Sequence, residues 1–103
     1  MRLEAEANGK TVHVAVGGVL EIHLDENPTT GYSWEIAALD EEILADAGRV
    51  YFAARPALTG SGGEVQWLFR ALKPGTTALR LEYRRPWEKD KPAQTFEITV
   101  AVE

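Results

Sequence analysis

The chain has no cysteine and only two histidines, His13 and His23, in 103 residues. Without Cys there is no disulfide, no thiolate nucleophile and no sulfur ligand for a metal. The two histidines lack the close-spaced partner that a metal site needs. Both fall on the polar side of an alternating pattern, where they read as solvated strand histidines rather than catalytic ones. Serine is equally scarce: Ser33 and Ser61 are the only two, and neither sits in a nucleophile-elbow setting. Acidic residues are plentiful, but Glu41-Glu42 and Glu88 with Asp90 read as solvated loop charges. Nothing sets two carboxyl groups about 5–10 Å apart across a cleft, as a glycosidase needs. Excess basic charge is missing too. Lys and Arg number 11 against 16 Asp and Glu, a formal net charge of −5. That balance argues against nucleic acid, whose phosphates need a basic surface, and against a polybasic lipid contact. No apolar run approaches the roughly 20 residues of a membrane helix. The opening MRLEAEANGK lacks a basic end followed by an apolar stretch. An intracellular protein and a mature exported form without its leader are both compatible with that start, and localisation stays open between them.

What the sequence does have is alternation. Val12-Val14-Val16, Leu20-Ile22-Leu24, Tyr32-Trp34-Ile36, Val65-Trp67-Phe69, Leu79-Leu81-Tyr83 and Phe96-Ile98-Val100-Val102 each place apolar residues two apart. In a strand such residues share one face, so each run offers one side to a core and the other to water. Turn punctuation separates them: Gly17-Gly18, Asn27-Pro28, Gly60 to Gly63, Pro74-Gly75 and Arg85-Pro86. Val50 to Ala54 adds a further candidate strand. Asp40 to Ala47 reads as a helical turn with Asp40 as N-cap.

About seven short one-sided strands predict an all-β fold, an immunoglobulin-like antiparallel β-sandwich, with a barrel as the competing closure. The parity of the pattern adds a constraint. A two-residue hairpin at Gly17-Gly18 would set Val14 opposite Glu21 and mix the two faces. Either the loop takes three residues or the chain crosses between sheets there. With no repeat, linker or low-complexity tract, residues 1–103 are expected to form one domain.

Three loops carry unusual composition. Asn27-Pro28-Thr29-Thr30-Gly31-Tyr32 combines a turn starter, a fixed φ, two hydroxyls and a residue free to adopt positive φ. It is either a well-made turn or a stiff presenting loop. Leu58-Thr59-Gly60-Ser61-Gly62-Gly63 lacks the Lys-Ser/Thr pair and following helix of a phosphate loop. Its glycines suit either a flexible connector or close backbone approach to a partner. Arg84 to Pro92 holds Trp87 directly after Pro86 and among charges. That Trp either folds back over a core edge or stands exposed as a binding anchor, a role in which Trp and Arg are enriched. Trp34 and Trp67, in phase with apolar neighbours, read as core. Taking strands at Val12–Val16, Leu20–Leu24, Tyr32–Ile36, Val50–Ala54, Val65–Leu72, Ala78–Arg84 and Gln94–Val102, the three loops follow alternate strands. In a sandwich they therefore gather at one end. One end is predicted to be a binding edge.

At these residues the chain resembles the chagasin-type inhibitors of papain-family cysteine peptidases. NPTTGY (27–32), GSGG (60–63) and RPW (85–87) stand in that family's order and at similar spacing, and TVHVAVGG and LRLEY also match. Tyr32 stands where Phe is frequent. The resemblance implies an immunoglobulin-like sandwich whose three loops enter a peptidase cleft as a wedge. Thr29, with Thr30, would lie over the catalytic cysteine, within the contact formed by Asn27, Pro28, Gly31 and Tyr32. Leu58, Thr59, Gly60, Ser61, Gly62 and Gly63 would run extended along the cleft. Trp87, with Arg85 and Pro86, would pack on an aromatic wall beyond the catalytic centre. The expected protein is not an enzyme but a reversible, non-covalent inhibitor without cofactor or metal. It has a papain-family peptidase as partner, makes no nucleic-acid or membrane contact and is a monomer when free. Two further functions remain consistent with the residues: an adhesion or carbohydrate-binding module using the same edge and, more remotely, a small carboxylate hydrolase.

Overall fold

The computed structural model describes residues 1–53, 62–88 and 91–103. Among them are eight strands: β1 (Arg2–Leu3), β2 (Thr11–Val14), β3 (Val19–Glu26), β4 (Ser33–Ala38), β5 (Leu44–Ala53), β6 (Gly63–Ala71), β7 (Gly75–Arg84) and β8 (Gln94–Val102). They form two four-stranded sheets, β1-β3-β6-β5 and β2-β8-β7-β4. The expected two-sheet architecture is therefore present. Most neighbours are antiparallel, while β1 on β3 and β2 on β8 pair in parallel.

The alternation does what its period requires. Leu20, Ile22 and Leu24 of β3 and Val65, Trp67 and Phe69 of β6 face Trp34 of β4, Leu79 and Leu81 of β7, and Phe96, Ile98, Val100 and Val102 of β8 in one buried cluster. Each such side chain contributes about 1.5–3 kcal/mol on leaving water. Trp34 and Trp67, 4% and 6% exposed, belong to this core as expected. The parity conflict at Gly17-Gly18 resolves by crossing, because β2 lies in one sheet and β3 in the other. Gly17 takes φ +85° in that crossing and donates its N–H to the Ala71 carbonyl at 2.9 Å. β2, expected to reach Val16, stops at Val14 and leaves Val16 48% exposed.

Two expectations need correcting. The helical turn over Asp40–Ala47 is only its first half. Ile43 and Leu44 donate to the Asp40 carbonyl at 3.1 and 3.0 Å, and Glu42 N–H reaches Asp40 Oδ1 at 3.0 Å. From Leu44 the chain is strand, because Leu44 is fully buried and in register with Ala71 of β6. Pairing with β6 wins over any local helical preference. His23, in turn, is not solvated. Its side chain is 7% exposed, with Nδ1 2.7 Å from Glu64 Oε1 and Nε2 3.4 Å from Glu21 Oε2. A carboxylate from β6 and one from its own strand enclose it on the outer sheet face. His13, by contrast, is a surface residue paired with Glu103.

Candidate functional site

The loop between β3 and β4 is built almost entirely from its own hydrogen bonds. Asn27, with extended backbone, caps a single 3-10 turn over Pro28–Thr30. Its Oδ1 accepts from Thr29 N–H at 3.2 Å and from Thr29 Oγ1 at 2.6 Å. Its carbonyl accepts from Thr30 N–H at 3.2 Å and Thr30 Oγ1 at 2.8 Å. Gly31 closes the turn at φ +81°, donating to the Pro28 carbonyl at 3.1 Å. Side chains with a Cβ rarely adopt that positive φ, which favours glycine here. Pro28, Thr29 and Thr30 remain exposed at the tip.

Beneath the loop lies a residue the sequence reading passed over. Glu26 is 6% exposed, accepts Trp34 N–H at 2.9 Å through Oε1 and lies 3.8 Å from Arg49 Nη1. The Trp34 indole N–H donates to the Asp25 carbonyl at 2.9 Å, and Arg49 donates to the Trp34 carbonyl at 2.9 Å. These bonds clamp the two ends of the loop together. Parity could have found Glu26: in Leu20-Ile22-Leu24-Glu26 the carboxylate falls in the inward phase. Tyr83, also in an inward phase, sends its hydroxyl to accept Asn27 N–H at 3.0 Å. Arg49 gives no such sequence signal, since it follows a register break between Asp46 and Arg49.

The third loop leans on the first. Arg85 lies 4.5 Å from the Tyr32 ring centroid and donates through Nε to the Thr30 carbonyl at 3.1 Å. Tyr32 stacks on Tyr83 at 5.3 Å, and Tyr83 meets Trp34 at 5.0 Å, so a column of rings runs from the core to the loop. Glu88 ties the loop to itself through Arg85 Nη1 at 3.1 Å. The Trp87 indole lies over Gly31, where a Cβ would come within 2.5 Å of Trp87 Cη2. Its other side is open, and Trp87 is 68% exposed. Of the two readings of this Trp, exposure is what the structure has.

The second segment is represented by its last two residues. Gly62 lies against Asn27, and Gly63 begins β6 in register with both Glu26 and Ala53. Leu58, Thr59, Gly60 and Ser61 lie outside the described residues. The described parts of all three segments thus come together at one end of the sandwich. Among the described residues, no group of three or more His, Asp or Glu is placed to hold a metal.

Comparison with known proteins gives consistent findings. The sequence model of the family described as Chagasin family peptidase inhibitor I42 matches residues 13–102. Chagasin of Trypanosoma cruzi is 37% identical over 84 residues, 78% of this chain and 76% of that protein. Amoebiasin-1 of Entamoeba histolytica is 33% identical over 103 residues, covering all of both chains. Among solved structures, the cysteine protease inhibitor EhICP2 of Entamoeba histolytica superposes with a TM-score of 0.86 at 26% identity, covering 99% of this chain and 93% of that one.

Proposed function

The chain belongs to the chagasin family of peptidase inhibitors, and we propose that it is a reversible, non-covalent inhibitor of papain-family cysteine peptidases that fills the active-site cleft with one end of its sandwich. The family is one of cysteine protease inhibitors and not of enzymes. The proposed contact comprises Asn27–Tyr32, Gly62-Gly63 and Arg85–Trp87. Leu58, Thr59, Gly60 and Ser61 join it on the strength of the sequence motif.

One observation carries the reading: Trp87 and Arg85 are seated on Gly31, Tyr32 and Thr30, and this leaves Thr29 and the open side of Trp87 exposed along a single edge. Blocking a cleft demands shape held before contact, because each side chain ordered on binding costs about 0.5–1.5 kcal/mol. Here Thr29 already spends its hydroxyl and N–H on Asn27, and Gly31 and Pro28 fix the turn. The tip offers the catalytic cysteine a closed helical turn in place of the extended backbone that strand-like peptide recognition uses. Trp87 supplies a rigid aromatic anchor with two rotatable side-chain bonds, the type that dominates interface energy. A standard interface of about 800 Å² per partner suits a wedge of this kind.

The test is inhibition of a panel of papain-family peptidases by the purified protein, with recovery of activity on dilution. Full activity of every panel member at micromolar inhibitor would overturn the proposal.

A further inference from the structure

The same end carries a second stretch of uncovered apolar surface, outside the three loops. Among the described residues β5 is an edge strand, with β6 on one side and no strand on the other in the order of its sheet. Edge strands are ordinarily guarded by bulges or charge against pairing with other chains. The first half of β5 obeys that rule. Its register breaks between Asp46 and Arg49, and Gly48 donates its N–H to Asp46 Oδ1 at 2.8 Å. From Val50 to Ala53 the guard is gone. Val50 and Phe52 are each 50% exposed and Tyr51 is 37% exposed.

The unguarded half lies next to the loops. Phe52 and Ala53 line a groove of about 630 Å³ that Asn27, Gly62 and Gly63 also line, three residues of the proposed peptidase contact. A partner seated on Asn27 and Gly62 would border this groove, whose lining continues to Phe52. Large exposed apolar side chains in one patch mark interaction surfaces, and this patch is continuous with one.

We propose that Val50–Ala53 forms a fourth contact with the peptidase, meeting apolar surface beside the cleft, and that it sets which papain-family enzymes are held most tightly. This rests on the inhibitor reading above. The three loops face the cleft that all such enzymes share, whereas β5 lies to one side of it. Selectivity is a difference between affinities, so a contact available on some enzymes and lacking on others generates it.

The experiment compares inhibition constants of the wild type, the double variant Val50→Thr/Phe52→Ser and Trp87→Ala across the peptidase panel. The double variant should weaken inhibition of at least one enzyme by about tenfold and of others by less than about twofold, whereas Trp87→Ala weakens all of them. Constants within about twofold of wild type for every enzyme the wild type inhibits would overturn the fourth contact and leave the inhibitor reading standing. A wild type that inhibits none removes both. Phe52→Lys, which restores a gatekeeping charge to the edge, provides a second variant should the first melt early, and the same enzyme-selective loss is expected. Sedimentation provides the remaining outcome. A wild-type dimer that Phe52→Lys dissociates, with unchanged inhibition, would assign the edge to self-pairing and overturn the proposal.

Discussion

The two loops in contact at the proposed binding end hold their shape by different means. Asn27–Gly31 is ordered from within, by hydrogen bonds from Thr29, Thr30 and Gly31 to Asn27 and Pro28. Arg85–Glu88, the second of the two, has among the described residues one backbone bond of its own, Glu88 N–H to the Arg85 carbonyl at 3.0 Å. The rest of its order comes from the Arg85–Glu88 side-chain bond at 3.1 Å and from Arg85 on Tyr32 and Trp87 on Gly31. A loop with local bonds keeps its shape whatever its neighbour does, whereas a loop that leans on another inherits that neighbour's errors. Trp87, the proposed anchor, is thus positioned by the loop it does not belong to.

The largest expected effect comes from removing what the second loop presents. Trp87→Ala should cost about 2 kcal/mol or more of binding, near thirtyfold in inhibition constant. Stability should change by no more than about 0.5 kcal/mol, because a side chain 68% exposed contributes little to folding. Inhibition kinetics paired with a thermal melt check both halves. A large fall in melting temperature would make Trp87 a structural residue and erase the contrast.

Next comes the point where the loops touch. Gly31→Ala forces a side chain into φ +81°, a strain of about 1–2 kcal/mol. It also drives a methyl group into Trp87, 2.5 Å from Cη2. Both loops should respond: the melting temperature falls, and inhibition weakens by about tenfold as the indole is displaced. Trp87 fluorescence cannot be isolated from Trp34 and Trp67 directly, so the difference between Gly31→Ala in the wild-type and Trp87→Ala backgrounds reports the contact. If the two changes add without interaction, the seat on Gly31 does not position Trp87.

Much of this arrangement is legible in the sequence, and the part that is not has a common cause. Period-two alternation places Trp34, Trp67 and the β8 valines in the core, and parity narrows the Gly17-Gly18 junction to a three-residue loop or a crossing, of which the structure has the crossing. Strand counting brings Asn27–Tyr32 and Arg85–Trp87 to the same end. What alternation misses are side chains whose environment is made by a distant strand. His23 reads as solvated because its phase is polar, yet Glu64, 41 residues away, shields it. Asp40–Ala47 reads as helical because a short apolar pair fits either period, and only Ala71 opposite Leu44 decides for strand. Glu26 keeps the inward phase, but its charge hides that fact until Trp34 N–H and Arg49 are seen around it. Local pattern gives faces, while partners on other strands decide polar burial.

The internal order of the first loop is tested more gently by Asn27→Ala. Removing the capping oxygen takes an acceptor from both Thr29 N–H and Thr29 Oγ1 and should cost about 1 kcal/mol. Asn27→Asp, which keeps the acceptor, should recover most of it. The readout that separates the loops is amide exchange: faster at Thr29 and Thr30, and little changed at Glu88. Equal acceleration at Glu88 would show the second loop borrowing hydrogen-bond order as well as packing.

The smallest effect separates the loops by charge. Below the second loop, on β7, Glu82 accepts from Arg80 Nε at 2.9 Å and from Arg84 Nη2 at 2.6 Å. The Arg80 hydrogen bond, followed by that of Arg84, holds the Glu82 carboxyl below its ordinary value of 4.5. A carboxyl with a lowered folded-state pKa binds its proton more readily when unfolded, so its contribution is complete above that ordinary value. It is lost as pH falls through the lower folded value. Acidification below about 4.5 should therefore loosen the strand that leads into Arg85, while the bonds of Thr29 and Thr30 to Asn27 at the tip of the first loop, above the Glu26 clamp at its base, involve only amide and hydroxyl groups and do not titrate. Amide exchange at Thr29 and at Glu88, followed from neutral pH to about pH 3 after correction for intrinsic rates, should diverge in the wild type. Glu82→Gln removes the titrating group, so the part of the divergence that arises at β7 should disappear. Divergence that persists unchanged in Glu82→Gln would place the acid sensitivity of the second loop elsewhere than in this arginine-flanked carboxylate.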